Sequence, residues 1–255
     1  MDYYVSGYEN EYRFVRYLNR KKVKELNPLF RDLLFDLFQD FDEEEVVIAW
    51  KNDLPQKADL FVKLKGEFRS ISLKKGIKNS VHASRISEFI HFLIDNGISK
   101  EAVMEYLKFH YADGTTNNKG EKRQSALEYK RSNQEKIDMI NKEFNGEKFL
   151  RKAIEFFVLK GNMSKIPIDV LVYGTTEDFF WIKKEEIMEQ LLSKKDIYAS
   201  GVHFSNLLCQ PLASNLNYNQ KYEKCRYLVQ LKWYSLFDDI VEVMNKRALK
   251  TNLND

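Results

Sequence analysis

Residues 57–82 read KADLFVKLKGEFRSISLKKGIKNSVH, and this stretch decides the fold. Asp59 to Leu64 and Ser70 to Lys75 are short runs of alternating apolar and polar residues around Lys65-Gly66, the pattern of two strands joined by a two-residue turn. Such a turn sets Leu64 opposite Glu67 and Asp59 opposite Ser72. Side chains alternate along a strand, so Asp59, Ser72 and Lys74 share one face while Leu60, Val62, Ile71 and Leu73 share the other. A four-residue loop would set Asp59 opposite Lys74 and leave the faces unchanged.

Outward from the hairpin, Val46 to Trp50 gives a preceding strand. Asn27-Pro28 is a cap followed by proline at a first helical position, and Phe30, Leu33, Leu34, Leu37 and Phe38 predict a helix over 28–39. An earlier stripe of Phe14, Val15 and Leu18 has Glu11 in the same phase, a carboxylate on an inward face. On the other side, Ile86, Phe89, Ile90, Leu93 and Ile94 predict a helix that stops at Asn96-Gly97. This order predicts an α/β fold with a mixed sheet, a central hairpin and flanking helices.

Farther along, His110 to Arg131 is polar and rich in Gly, Asn and Thr, so 111–146 reads as an inserted loop and helix within a single domain spanning 1–255. Helical patterning resumes over 133–160. Strands are expected at Ile168 to Tyr173, Phe179 to Ile182 and Arg226 to Trp233, with a short helix over Glu185 to Leu192 and a terminal helix to about Arg247.

Composition narrows the functions. The 255 residues are 44% hydrophobic and 31% charged with 10 Gly and 4 Pro, which excludes collagen-like and wholly disordered chains. The expected location is cytoplasmic, because no apolar run approaches a membrane span and the N-terminus lacks a secretory layout. Cys209 and Cys225 are too few for a disulfide framework or a thiolate zinc site. A net charge of +3 permits a polyanionic partner without requiring one. No phosphate-binding glycine loop, nucleophile elbow, zinc-protease motif or dinucleotide fingerprint occurs, which argues against those enzyme classes.

A carboxylate beside a lysine on the polar face of a hairpin, with an inward carboxylate on a neighbouring helix, suits a divalent cation and a nucleophilic water, the chemistry of phosphodiester hydrolysis. The same spacing also fits a solvated strand face with a surface ion pair. Lys74, Lys75, Lys78, Asn79, Ser80 and His82 cluster before the 86–94 helix, where amides and cations at a helix start suit a phosphate. Asn79 or Ser80 as a simple cap is the alternative. Asp169 with Gln230-Leu231-Lys232 forms a rival acid and lysine pair. Arg226 and Lys232 otherwise sit on a polar face open to substrate or solvent. The polar segments 112–123, with Arg123, and 206–220 can address base edges.

The 57–82 stretch resembles the centre of the PD-(D/E)xK nucleases, the restriction-endonuclease-like superfamily, in which an aspartate opens one hairpin strand and an acid-x-lysine tripeptide lies in the next. Asp59 matches the aspartate, Lys74 the lysine and Glu11 the frequent helix carboxylate. The chain departs from the pattern at Ser72, where the family usually carries Glu, Asp or Gln, and at Ala58, often proline. SISLKKG-x-x-NSVH, HYADGT and VQLKW also look like a group of uncharacterised bacterial proteins of restriction type. The resemblance implies a Mg²⁺-dependent, sequence-specific DNA endonuclease of a restriction-modification setting, with Mn²⁺ as an alternative metal, double-stranded DNA as partner and a homodimer as an admissible assembly. It implies Asp59, Glu11 and the Leu73 carbonyl as metal ligands, with Lys74 positioning water and Ser72 in support. An inactive nucleic-acid-binding module of the same fold and a protein-interaction scaffold are the competing expectations.

Overall fold

The computed structural model describes residues 6–77, 79–120, 123–212 and 219–252. The chain divides into two compact units, 1–77 with 159–188 and 236–255, and 78–158 with 189–235.

In the first unit, α1 (Gly7–Leu18) starts at Ser6, whose hydroxyl accepts from the Glu9 amide at 3.1 Å. Helix α2 (Pro28–Phe38) starts at Asn27, whose side chain accepts from the Phe30 amide at 3.0 Å. These caps satisfy amides that lack intrahelical partners. The sheet contains β1 (Ile48–Lys51), β2 (Leu60–Leu64), β3 (Glu67–Lys74), β5 (Val170–Gly174) and β6 (Phe179–Lys183), in the order β1-β2-β3-β5-β6. It is mixed: β3 and β5 run parallel, and the other neighbours antiparallel. Lys65 and Gly66 have φ of 51° and 84°, the pair of positive values that a tight hairpin turn demands, and Leu64 pairs with Glu67 as the sequence predicts.

One face of this sheet packs Leu60, Val62, Ile71, Leu73, Val170 and Val172 against Phe14, Leu18, Phe30, Leu33 and Leu34 of the two helices. Helix α9 (Leu236–Asn252) also belongs to this unit, and α8 (Lys184–Ser193) begins in it. Asp36 of α2 ties three elements together. It accepts from Trp181 Nε1 at 2.8 Å and Lys183 Nζ at 3.0 Å and lies 3.2 Å from Arg247 Nη1, and Arg247 also pairs with Glu186. A second clasp fixes the parallel pair, because Asp169 accepts from the amide and hydroxyl of Ser70, each at 2.9 Å, and from Lys184 Nζ at 3.1 Å.

The second unit has an antiparallel sheet, in the order β4-β9-β8-β7, from β4 (Asn79–Arg85), β7 (His203–Phe204), β8 (Leu207–Pro211) and β9 (Leu228–Trp233). Its helices include α3 (Ile86–Asp95), α4 (Lys100–Tyr111), α5 (Ala126–Ser132), α6 (Gln134–Phe144) and α7 (Glu147–Ala153). The core is aromatic: Phe89, Tyr106, Phe144, Phe157 and Phe204 are fully buried, and Phe144 stacks on Phe204 at 4.7 Å.

Several expectations are corrected. Residues 79–85 form β4, paired with β9, so the start of α3 lies at Arg85 and the amides of Asn79 and Ser80 belong to a ladder. A register shift between Ser80 and His82 breaks the alternation that would have revealed the strand. The 133–160 pattern is interrupted at Asn145-Gly146 and continues as α7 and a wider helical turn, Ile154–Lys160. Within the asparagine-rich 206–220 stretch, Leu207–Pro211 is β8, while 213–218 lie outside the described residues, as does Lys78. No helix among the described residues is long and apolar enough to cross a membrane.

Burial raises the pKa of Asp36, but the Trp181 and Lys183 hydrogen bonds and the Arg247 charge outweigh it, leaving the carboxyl below its ordinary 3.8. A depressed carboxyl stabilises the fold above its unfolded pKa and loses that contribution as pH falls through the folded value. Asp36→Ala is expected to cost about 2–3 kcal/mol at neutral pH by stranding the Trp181 and Lys183 donors. The gap to wild type should narrow below pH 3.8, as measured by urea unfolding across pH. In the second unit, buried His110 has its pKa pushed from 6.5 down to about 4 by desolvation, so it stays neutral in the fold. Stability from this group is complete above pH 6.5 and is lost as pH falls toward 4, by on the order of 3 kcal/mol. His110→Gln should flatten the unfolding profile in that window.

Candidate active site

The backbone of Asp59 is pinned on both sides before its side chain does anything. Its amide donates to the Ile71 carbonyl at 2.8 Å, and its carbonyl accepts from the Asn52 amide at 2.9 Å. Asn52 also donates its side-chain amide to the Ala58 carbonyl at 2.9 Å, closing the loop that leads into β2. The Asp59 carboxylate then reaches across to β3, where Oδ2 accepts from Ser72 Oγ at 3.0 Å and from the Leu73 amide at 2.6 Å.

Lys74 completes the array. Its ammonium donates to Ser72 Oγ at 3.1 Å and to the Leu73 carbonyl at 3.0 Å, and lies 3.7 Å from Asp59 Oδ2. Ser72 is fully buried, so its hydroxyl is spent between carboxylate and ammonium. The three residues that share a face by alternation thus form one connected polar group. Such a group is stiff because each member is oriented by the others.

Glu11 approaches from α1. It accepts from Lys51 Nζ at 3.2 Å, and that ammonium lies 3.9 Å from the ring centre of Tyr8. Burial raises the Glu11 pKa; the Lys51 hydrogen bond opposes the rise, the Asp59 charge adds to it and the Lys74 charge opposes it. Glu11 therefore feels both charged members of the hairpin group. Exposed Tyr8 and Tyr12, with hydroxyls 3.0 Å apart, flank it on the same helix.

Lys51 and Lys57 escape a reading of the sequence. The Lys57 ammonium is pushed down to about 7 by desolvation and by the like charge of Lys74, against the pull of Asp59. Its stem lies 3.9 Å from where a Cβ on Gly161 would be. The only advance signal was its place two residues before Asp59, and for Lys51 its place at the end of a predicted strand.

The oxygen donors present, two carboxylates and the Leu73 carbonyl, match the hard-ligand preference of Mg²⁺, which keeps several waters of its own. The Leu73 carbonyl has a second lone pair beyond the one engaged by Lys74. Among the described residues no group of three or more His, Cys, Asp and Glu gathers as a metal cluster, at this site or any other.

The remaining candidate residues fall in different surroundings. Lys75 follows β3, and burial and the Arg13 charge lower its pKa. Within the second unit, Asn79 and His82 are buried, with His82 against Phe157 at 4.9 Å, while exposed Ser80 pairs with Lys232 across β4 and β9. Arg226 lies in the last turn of the 3-10 segment Gln220–Tyr227, and its carbonyl meets His110 Nε2 at 2.8 Å. Arg123 donates Nη2 to the His110 carbonyl at 2.7 Å. Asp169 of the rival pair is occupied by Ser70 and Lys184 in the first unit, whereas Gln230 belongs to the second.

No family model and no curated protein matches this chain. Its fold is similar to that of restriction endonuclease MspI, solved in complex with its cognate DNA, at a TM-score of 0.54 and 11% identity, covering 91% of this chain and 94% of that one. The mixed sheet flanked by helices is thus a restriction-endonuclease-like fold.

Proposed function

We propose that the protein is a metal-dependent DNA endonuclease that hydrolyses phosphodiester bonds, of sequence-specific restriction type. The observation that supports this is the connected Asp59, Ser72, Leu73 and Lys74 group on the β2–β3 hairpin, with Glu11 beside it, in a restriction-endonuclease-like fold. Asp59, Glu11 and the Leu73 carbonyl would hold Mg²⁺, or Mn²⁺ in its place. The cation, when bound, supplies Lewis acidity toward a phosphoryl oxygen and a more acidic water.

This chain's own residues do the rest. The Lys74 ammonium, held at the Leu73 carbonyl and the Ser72 hydroxyl, is positioned to orient a water and to offset charge that develops on the phosphate. Ser72 fixes the Asp59 carboxylate in one rotamer through its hydroxyl. Lys51 balances Glu11 and holds it toward the hairpin. Double-stranded DNA is the proposed partner, with Lys75, Ser80, Lys232, Arg123 and Arg226 as candidate contacts. The proposal takes 1–255 as one nuclease domain with 111–146 inserted, working in the cytoplasm as part of restriction-modification, with homodimerisation as its compatible assembly.

A second reading, an inactive DNA-binding module, is favoured by one observation: Ser72 stands where an acid would add a third carboxylate, and it already satisfies both neighbours. Cleavage of mixed-sequence plasmid in Mg²⁺ separates the two. Asp59→Ala and Lys74→Ala are each expected to lower the rate by about a thousandfold, the scale of removing a preorganised charge from an active site. Ser72→Ala should cost only about tenfold in rate and about 1–2 kcal/mol in stability. Wild-type cutting that both Asp59→Ala and Lys74→Ala retain would overturn the site. DNA binding with no cutting in either metal would leave the binding module.

A further inference from the structure

The face of the β1–β2–β3 meander that turns away from α1 and α2 carries an aromatic row as well as the polar group. Burial alternates along β1, where Ala49 is packed in the core while Ile48 and Trp50 are each 41% exposed. It alternates along β2 as well, with Leu60, Val62 and Leu64 buried and Lys63 exposed. Register then gathers the outward side chains. Trp50 pairs with Phe61, and Lys63 pairs with Ile48 on one side and Phe68 on the other. Phe68 is 50% exposed and stands edge-on to Phe61 at 6.0 Å, while Phe61 lies nearly parallel to Trp50 at 5.5 Å.

The row runs into the candidate active site. Phe61 is two residues from Asp59 on β2, and its partner Ser70 is two residues from Ser72 on β3. At the rise of an extended strand, the level of Trp50 and Phe61 lies about 7 Å from that of Asp59 and Ser72. Exposed apolar side chains grouped on one face mark a binding surface more often than a packing need. Positions 48, 50, 61, 63 and 68 hold four apolar side chains and one cation, with no carboxylate among them. That composition suits a planar ring joined to an anionic backbone, because a nucleobase stacks on an aromatic side chain presented by a sheet while an ammonium meets the phosphate. A second copy docked through the same face would bring two Lys63 ammoniums toward each other.

We propose that Trp50, Phe61 and Phe68 form a stacking platform for unpaired nucleobases, with Lys63 on an adjoining phosphate, so that a strand reaching Asp59 lays its neighbouring bases on the row. The inference rests on the reading of DNA as the partner and adds which form of it is held most tightly, a duplex that continues into a single-stranded stretch. Paired bases in a duplex keep their faces covered by their neighbours, whereas the bases of an overhang are free to stack on the protein. Such stacking is indifferent to sequence, since every base has a π face.

The test uses the full chain without metal, so that binding is read apart from cutting. Fluorescence anisotropy compares a blunt duplex with the same duplex carrying an oligo-dT or oligo-dA overhang. The wild type is expected to bind either overhang form roughly tenfold more tightly, and Trp50→Ala and Phe68→Ala should each remove most of that advantage while leaving the blunt duplex unchanged. Lys63→Gln should lower the salt slope for the overhang forms by about 0.7. Trp50 supplies a second readout, because it is exposed while Trp181 and Trp233 are buried. The overhang should quench its fluorescence, and Trp50→Phe should abolish the quenching. Thermal unfolding checks the variants, and if Trp50→Ala fails to fold, wild-type quenching and Phe68→Ala carry the test. Equal wild-type affinity for blunt and overhang duplexes overturns this inference and spares the DNA reading, whereas no DNA binding overturns both. An advantage that the alanine variants retain, or a loss of blunt and overhang binding together, removes the rings from base contact and overturns the platform. Variants that reduce the size of the assembly in light scattering, with affinity for both duplexes unchanged, mark the face as a contact between protein chains and overturn the nucleobase assignment.

Discussion

Two consecutive residues with positive φ, Lys65 and Gly66, set the geometry on which the candidate site depends. That turn locks Leu64 opposite Glu67, and every later pair in the hairpin inherits the register, down to the hydrogen bond between the Asp59 amide and the Ile71 carbonyl. A slip of one residue would reverse the faces of β3, sending Ile71 and Leu73 out of the core and Ser72 into it. The apolar face resists this, because Leu60, Val62, Ile71 and Leu73 are all packed under the helices. Core burial and turn conformation therefore enforce the same alignment, and the polar group on the other face follows without needing to stabilise itself.

The polar group is correspondingly economical. One carboxylate oxygen serves a hydroxyl and an amide, the same hydroxyl receives an ammonium, and that ammonium also covers the neighbouring carbonyl. Glu11 and Lys51 repeat the principle at the flank, with a partly desolvated acid held by an ammonium that rests on a tyrosine ring. Charge is arranged here at short range, by strands and one helix that the core has already fixed. The aromatic second unit follows a different scheme, in which a buried neutral His110 and the Asn141 and Asn145 side chains satisfy backbone groups around stacked phenylalanines.

What the sequence made legible was local. Helix α2 announced itself through its Asn27 cap and a 3.6-residue stripe, α3 through its stripe and the Asn96-Gly97 stop, and the β2–β3 hairpin through alternation around one turn, so Asp59, Ser72 and Lys74 could be grouped in advance. Strand β4 was hidden by its bulge and by polar residues that resemble a helix start, and β8 by the asparagines around it and by Pro211 at its end. Lys51 and Lys57 were invisible for a related reason. The place of Lys51 at Glu11 depends on the register of β1, and that of Lys57 near Asp59 on the path of the 52–59 loop, neither of which any periodicity encodes. Asp169, which looked like a rival acid, is explained by a clasp between residues that only the folded sheet brings together.

That clasp has a consequence for how the molecule is made. Ser70 and Asp169 are 99 residues apart, yet β3 and β5 are adjacent parallel strands. As a nascent chain emerges, the β1–β2–β3 meander can assemble early from nearby partners, but the open edge of β3 must wait until the whole intervening segment has been synthesised. Loop-closure entropy makes such distant pairings slow to form, and an unpaired strand edge is a template for association with other chains. The rate at which this protein reaches its native state is thus expected to be governed by the joining of β3 to β5, and its yield by how well that edge is shielded in the interval.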